Sequence, residues 1–158
     1  MARYGANWNK AYATCAKELT EAGKKVSAKT AQRLVQEGET YLKDNSASES
    51  MPLLTGNLHD SFAVSVFNGG KNVGYRFMER IAEKNQKFHG QVIWGYQTAR
   101  LIAGRASRWA PTSTVALLTI GVPYTQLVNN QEQHLGFVEQ FAEEFYRRME
   151  SAVNQAVK

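Results

Sequence analysis

The chain has one cysteine, Cys15, in 158 residues, so no internal disulfide can form and none is needed to explain the fold. Its three histidines, His59, His89 and His134, are scattered and share no metal-site spacing with each other or with Cys15, which argues against a structural zinc. Only three prolines interrupt it, and 43% of residues are apolar against 21% charged, a balance that favours a folded chain over a disordered one. No run of about 18 apolar residues exists to span a bilayer, and Met1-Ala2-Arg3-Tyr4-Gly5 leads into polar residues instead of an apolar leader. The expectation is a soluble protein of a reducing interior, with no membrane association.

Nucleophiles and phosphate cradles are equally scarce. Cys15 falls on the apolar face of a helical pattern, where a small buried hydrophobe is expected and an activated thiolate is not. His59-Asp60 is the one adjacent base–carboxylate pair. If it lies on a strand, the two side chains point to opposite faces, and His59 is expected in solvent. The glycines of Asn68-Gly69-Gly70-Lys71 lack P-loop spacing and lead into a strand pattern, so they read as a turn. No catalytic residue, cofactor or metal is expected.

What the chain does contain is one strong helical pattern near each end. Trp8, Tyr12, Cys15, Leu19, Ala22 and Val26 recur at a 4-3-4-3-4 spacing, and Ala31, Leu34, Val35, Gly38, Tyr41 and Leu42 follow. A helix from about Asn9 to Lys43 would be roughly 50 Å long, more than a domain of this size needs for its own core, so part of it is expected to pack on another subunit. The phase slips after Val26, where Lys29 and Arg33 take the seam positions; a bend or a change of partner is expected near residues 27–30. Gly23 and Gly38 are each expected to weaken the helix by up to about 1 kcal/mol relative to alanine. At the other end Phe137, Val138, Phe141, Phe145, Met149, Ala152 and Val153 form one face of a second helix, with Glu143–Arg147 and Glu144–Arg148 spaced for ion pairs on the other.

Between the helices, Phe62, Val64 and Val66 alternate ahead of the glycine turn, and 73–77 completes a hairpin. The β-branched run at 115–122, closed by Pro123, is a third strand. The intervening segment predicts a short helix at 79–85, an extended piece at 91–94 and a helical turn at 97–103. The whole is an α+β single domain over 1–158: a long helix in 1–44, turn and hairpin in 52–78, a basic insertion in 79–112, a strand in 113–124 and a C-terminal amphipathic helix in 136–156, the helices packed on a small antiparallel sheet.

The net charge of +5 is concentrated. Arg76, Arg80, Lys84, Lys87, Arg100, Arg105 and Arg108 face only Glu79 and Glu83 in the same stretch, while the rest of the chain balances. Such a block reads either as a solvated surface or as a polyanion-facing one. Aromatics among it (Tyr75, Phe77, Phe88, Trp94, Tyr96, Trp109) could stack on single-stranded bases, but core packing is the expected role, and no nucleic-acid-binding motif is visible.

Two short motifs then stand out: Pro52-Leu53-Leu54-Thr55-Gly56-Asn57-Leu58-His59-Asp60-Ser61-Phe62 before the hairpin, and Gly121-Val122-Pro123-Tyr124 after the third strand. Physically, Thr55 or Asn57 can cap a short turn, Gly56 admits a backbone angle other residues resist, and Leu58 enters the core. Pro123 ends a strand and Tyr124 offers an amphipathic anchor. In their order between two helices they resemble the neck, or tail-component, family of tailed bacteriophages typified by gene product ten of phage HK ninety-seven. Thr125 and Asn129-Asn130 stand where that family tends to carry an alanine and a Glu-Gly pair.

The resemblance implies a structural virion protein that assembles into a homo-oligomeric ring at the head–tail junction, as head–tail connector, tail-completion or terminator subunit, after synthesis in the host cytoplasm. It further implies neighbouring portal, head-closure or tail proteins as partners, with genomic DNA passing through the lumen. Arg80, Lys84, Lys87, Arg100, Arg105 and Arg108 are the candidate contacts to that DNA or to a neighbouring ring. The alternative reading is a standalone basic nucleic-acid-binding domain.

Overall fold

The structure, a computed structural model, describes residues 5–46, 56–79, 81, 97, 100–101, 113–122, 125, 129–130 and 136–158, the side chains of 5–12 excepted. The expected α+β architecture is present: helix α1 (Gly5–Ser46), a 3-10 turn (His59–Ser61), strands β1 (Phe62–Asn68), β2 (Lys71–Phe77) and β3 (Thr114–Ile120), and helix α2 (Phe137–Val157). The sheet is antiparallel with β1 in the middle, in the order β2-β1-β3.

The hairpin closes through Gly69 and Gly70, both at positive φ (57° and 73°), the conformation that a tight two-residue turn between right-twisted strands demands. Val66 pairs with Gly74 but Phe67 pairs with Asn72, so Val73 is an extra residue bulged out of β2. Phe62, Val64 and Val66 point from β1 toward the helices and are fully buried. One cluster gathers Tyr41, Leu42, Leu58, Phe62, Phe137 and Phe141, with ring pairs Phe62–Phe141 and Tyr41–Phe145 meeting edge-on at 5.4 and 5.3 Å. A second joins Ala31, Leu34, Val66, Met149 and Ala152.

The helices run antiparallel. Arg33 bonds Gln155 at one end, and near the other the Tyr41 hydroxyl donates to the Phe141 carbonyl at 2.9 Å. Arg148 clamps them: it reaches Asp44 at 2.7 Å, Glu144 at 3.0 Å and Glu37 at 3.5 Å, and its guanidinium lies 5.9 Å from the Tyr41 ring centre. Partial burial pulls the Arg148 pKa down, but the Asp44 hydrogen bond and the three carboxylates outweigh it and raise it further. Glu144–Arg148 is one of the two ion pairs expected from the sequence; Glu143–Arg147 does not form.

Two glycines let α1 approach the sheet. A Cβ at Gly38 would stand 2.6 Å from Val64 Cγ1, and one at Gly74 would stand 2.8 Å from Val35 Cγ2, so a glycine on each surface receives a valine from the other. Gly38 is therefore a packing requirement, and the sequence-based expectation that alanine would help there is reversed. Gly23, with nothing within 4 Å, keeps it. Gly38→Ala is expected to lower the unfolding free energy by roughly 1 to 3 kcal/mol because Val64 is buried and stiff. Gly23→Ala should raise it by up to about 1 kcal/mol. Urea unfolding of the two variants checks both signs.

Helix α2 begins unusually. Its N-cap is Gly136 in the left-handed region (φ 74°) and offers no side-chain cap. Asn129 supplies one from seven residues upstream: its side-chain oxygen accepts the Val138 N–H at 2.9 Å and its amide donates to Glu139. This cap was invisible to spacing rules, which look for it immediately before the helix.

Candidate assembly surface

The Thr55-Gly56-Asn57-Leu58 motif does its work locally. Gly56 takes φ 75°, its carbonyl accepts the Asp60 N–H at 2.9 Å, and Leu58 drops into the core as expected. Leu58 is the N-cap of the 3-10 turn, and the Ser61 hydroxyl donates to the Leu58 carbonyl at 2.6 Å. Thr55, Pro123 and Tyr124 lie outside the described residues, while Val122 is buried and its carbonyl accepts both the N–H and the hydroxyl of Thr125.

His59 is not in solvent. It is 0% exposed, because the 3-10 turn, unlike a strand, directs His59 and Asp60 inward together. Nδ1 lies 3.0 Å from Asp60 Oδ1 and Nε2 lies 3.1 Å from Ser46 Oγ, while the same Asp60 oxygen accepts the Ile81 N–H at 3.0 Å. With Nδ1–H donating to the carboxylate, Nε2 is left to accept from Ser46. The connectivity is that of a nucleophile, base and carboxylate, but the imidazole has no exposed edge on which a leaving group could be protonated. It ties the end of α1, the turn and the segment after β2 into one knot. Among the described residues no group of three or more His, Cys, Asp or Glu is arranged to hold a metal, and no helix is long and apolar enough to cross a membrane.

Of the basic block, Arg76 is already engaged, its Nε donating to Glu39 at 2.9 Å across β2 and α1. That contact, with Lys43 adding to it, holds the Glu39 carboxyl below its ordinary range. Arg100 is exposed on helical backbone, in line with the expected turn at 97–103. Arg80, Lys84, Lys87, Arg105 and Arg108 lie outside the described residues, as do most of the expected short helix at 79–85 and all of the extended piece at 91–94.

The largest departure from expectation lies on α1. The helix is continuous over 42 residues, about 63 Å, with no break at the expected bend. What changes there is the partner. Thr30, Ala31, Leu34, Tyr41 and Leu42 are buried, yet every described residue from 13 to 26 is exposed. Cys15 is therefore exposed where a buried residue was expected, and Leu19 and Val26 stand 69% and 45% in solvent. Just past this stretch Ser27 ties the helix to the sheet, its hydroxyl donating to Asn68 at 2.7 Å and meeting Thr114 at 3.0 Å.

These features define an α+β protein with two antiparallel helices over one face of a three-stranded antiparallel sheet, residues 13–26 of the first helix overhanging. No family model matches the chain, and neither a curated protein nor a solved structure matches it.

Proposed function

We propose that this chain is a structural assembly subunit, a ring-forming neck or tail-completion protein of a tailed bacteriophage that joins head to tail around the DNA channel, and that it is not an enzyme. The observation carrying the reading is the α1 overhang. An apolar stripe at helical spacing that the chain's own core does not use is what a subunit completed by neighbours presents. The order of motifs supports it: a Gly56-led turn enters the hairpin and Val122 follows β3, between two helices, the order on which the resemblance to the neck family rests. The remaining basic residues, Arg100 with Arg80, Lys84, Lys87, Arg105 and Arg108, suit a lumen that tolerates phosphates without reading bases, or a clasp on an adjoining ring.

Immunogold labelling of purified particles is expected to place the protein at the head–tail junction, and images of isolated necks to show it as a closed ring. Label at the baseplate or on the capsid surface would overturn the reading. So would a monomer that binds DNA tightly, with a steep salt dependence lost on charge reversal at Arg100, Arg105 and Arg108; that result would make it a standalone nucleic-acid-binding domain.

A further inference from the structure

The overhang has a counterpart on the same chain. Helix α2 leans on α1 and leaves the inner face of the edge strand β3 half-covered: Ala116, Leu118 and Ile120 are only partly buried, whereas the facing residues of β1 are wholly so. Two depressions result, of about 450 and 530 Å³. They share Ala116 and Phe145, so they form one trough running along α2 from Val138 to Val153, about 22 Å at 1.5 Å per residue. Its walls are mainly apolar, with Leu34, Met149 and Val153 at one end and Leu118, Ile120 and Val138 at the other.

The chain cannot fill this trough with its own overhang. Arg33 lies level with Gln155, near the C-terminal end of α2, so residues 13–26 continue past that end on an unbroken helix pointing away. The stripe from Cys15 to Val26 is about 16 Å long, within the trough's length. The charges match as well. Lys17, Lys24 and Lys25 against Glu18 and Glu21 give residues 13–26 a net +1. Helix α2 carries Glu139, Glu143, Glu144 and Glu150 against Arg147 and Arg148, a net −2.

We propose that the overhang of one copy seats in the β3–α2 trough of the next, an inference that rests on the assembly reading and names its contact. The two surfaces are different patches of one chain, so the contact is heterologous. Repeated around an axis it closes a ring, and otherwise it runs on as a filament. The apolar stripe supplies the burial, and the opposed charges set which way the helix lies and disfavour stripe-to-stripe pairing of two lysine-rich overhangs.

Cys15, the chain's only cysteine, sits on the stripe and serves as the probe. Val138→Cys and Val153→Cys place a second thiol at either end of the trough. Under mild oxidation of the full-length protein at high concentration, one of the two variants is expected to give a ladder of covalent multimers on non-reducing gels. The same variant carrying Cys15→Ser should give none. Leu19→Asp with Val26→Asp, both on exposed positions, should leave the melting temperature and helical circular dichroism unchanged and reduce the mass seen by light scattering to that of the monomer.

Disulfides only between two Cys15 residues, or no ladder from either variant, would overturn the contact. So would an oligomer unaffected by the double aspartate, or a wild-type chain that stays monomeric at every concentration reached. None of these decides where the protein sits in a particle, which the labelling experiment reads separately.

Discussion

Asp60→Ala is expected to lower the free energy of unfolding by about 3 kcal/mol, because it strips the acceptor at once from the wholly buried His59 ring and from the half-buried Ile81 N–H. His59 loses the acceptor for Nδ1, and the Ile81 N–H loses its oxygen. His59 is wholly buried, so Nδ1 cannot exchange its lost bond for a hydrated one, whereas the half-buried Ile81 N–H loses less. Asp60→Asn retains one carbonyl oxygen and should lose roughly half as much. Ser46→Ala should lose only about 1 kcal/mol, since a single hydrogen bond between neutral groups goes and its serine end is half-buried. Urea midpoints at constant slope rank the three. If Asp60→Ala proves no worse than Ser46→Ala, the knot is not holding the turn against the helix.

This knot also shows where sequence reading stops. His59-Asp60 was visible as a pair, but strand alternation, the rule available, sent the two side chains apart. The 3-10 turn that brings them together depends on Gly56 at positive φ and on the Asp60 N–H bonding back to Gly56, which only the folded backbone displays. The elements themselves were legible. The 3.6-residue period found both helices, the Gly69-Gly70 turn found the hairpin, and the β-branched run found β3, each within a few residues of its observed bounds. Periodicity identifies a face without saying what covers it. The stripe of Cys15, Leu19, Ala22 and Val26 has the same spacing as a core stripe, yet it is exposed. The signal that separated the two halves was the phase slip at Lys29 and Arg33, which marks the point where burial begins. Contacts between residues distant in sequence, such as Arg76 with Glu39 or Arg148 with Asp44, left no trace in local spacing.

Tyr41 carries the largest expected loss in the core. Replacing it with alanine should remove about 4 kcal/mol, as it is wholly buried, meets Phe145 edge-on and lies beneath the Arg148 guanidinium. Tyr41→Phe keeps the ring and removes only the hydroxyl's bond to the Phe141 carbonyl, so about 1 kcal/mol should go. The phenylalanine variant also isolates a pH effect. Burial first, then the Glu144 carboxylate, pushes the Tyr41 phenol well above its ordinary range, with Arg148 opposing. The folded state therefore holds this proton more tightly than the unfolded chain does. The sign follows: the stabilisation is fully present below about pH 10, where the unfolded tyrosine would ionise, and is lost as the pH rises through and beyond that point. Urea midpoints compared at about pH 8 and about pH 11 should fall further for the wild type than for Tyr41→Phe, because every other titrating group is common to both. Equal falls would mean that the phenol is hydrated at high pH, and that α1 and α2 separate there more readily than their packing implies.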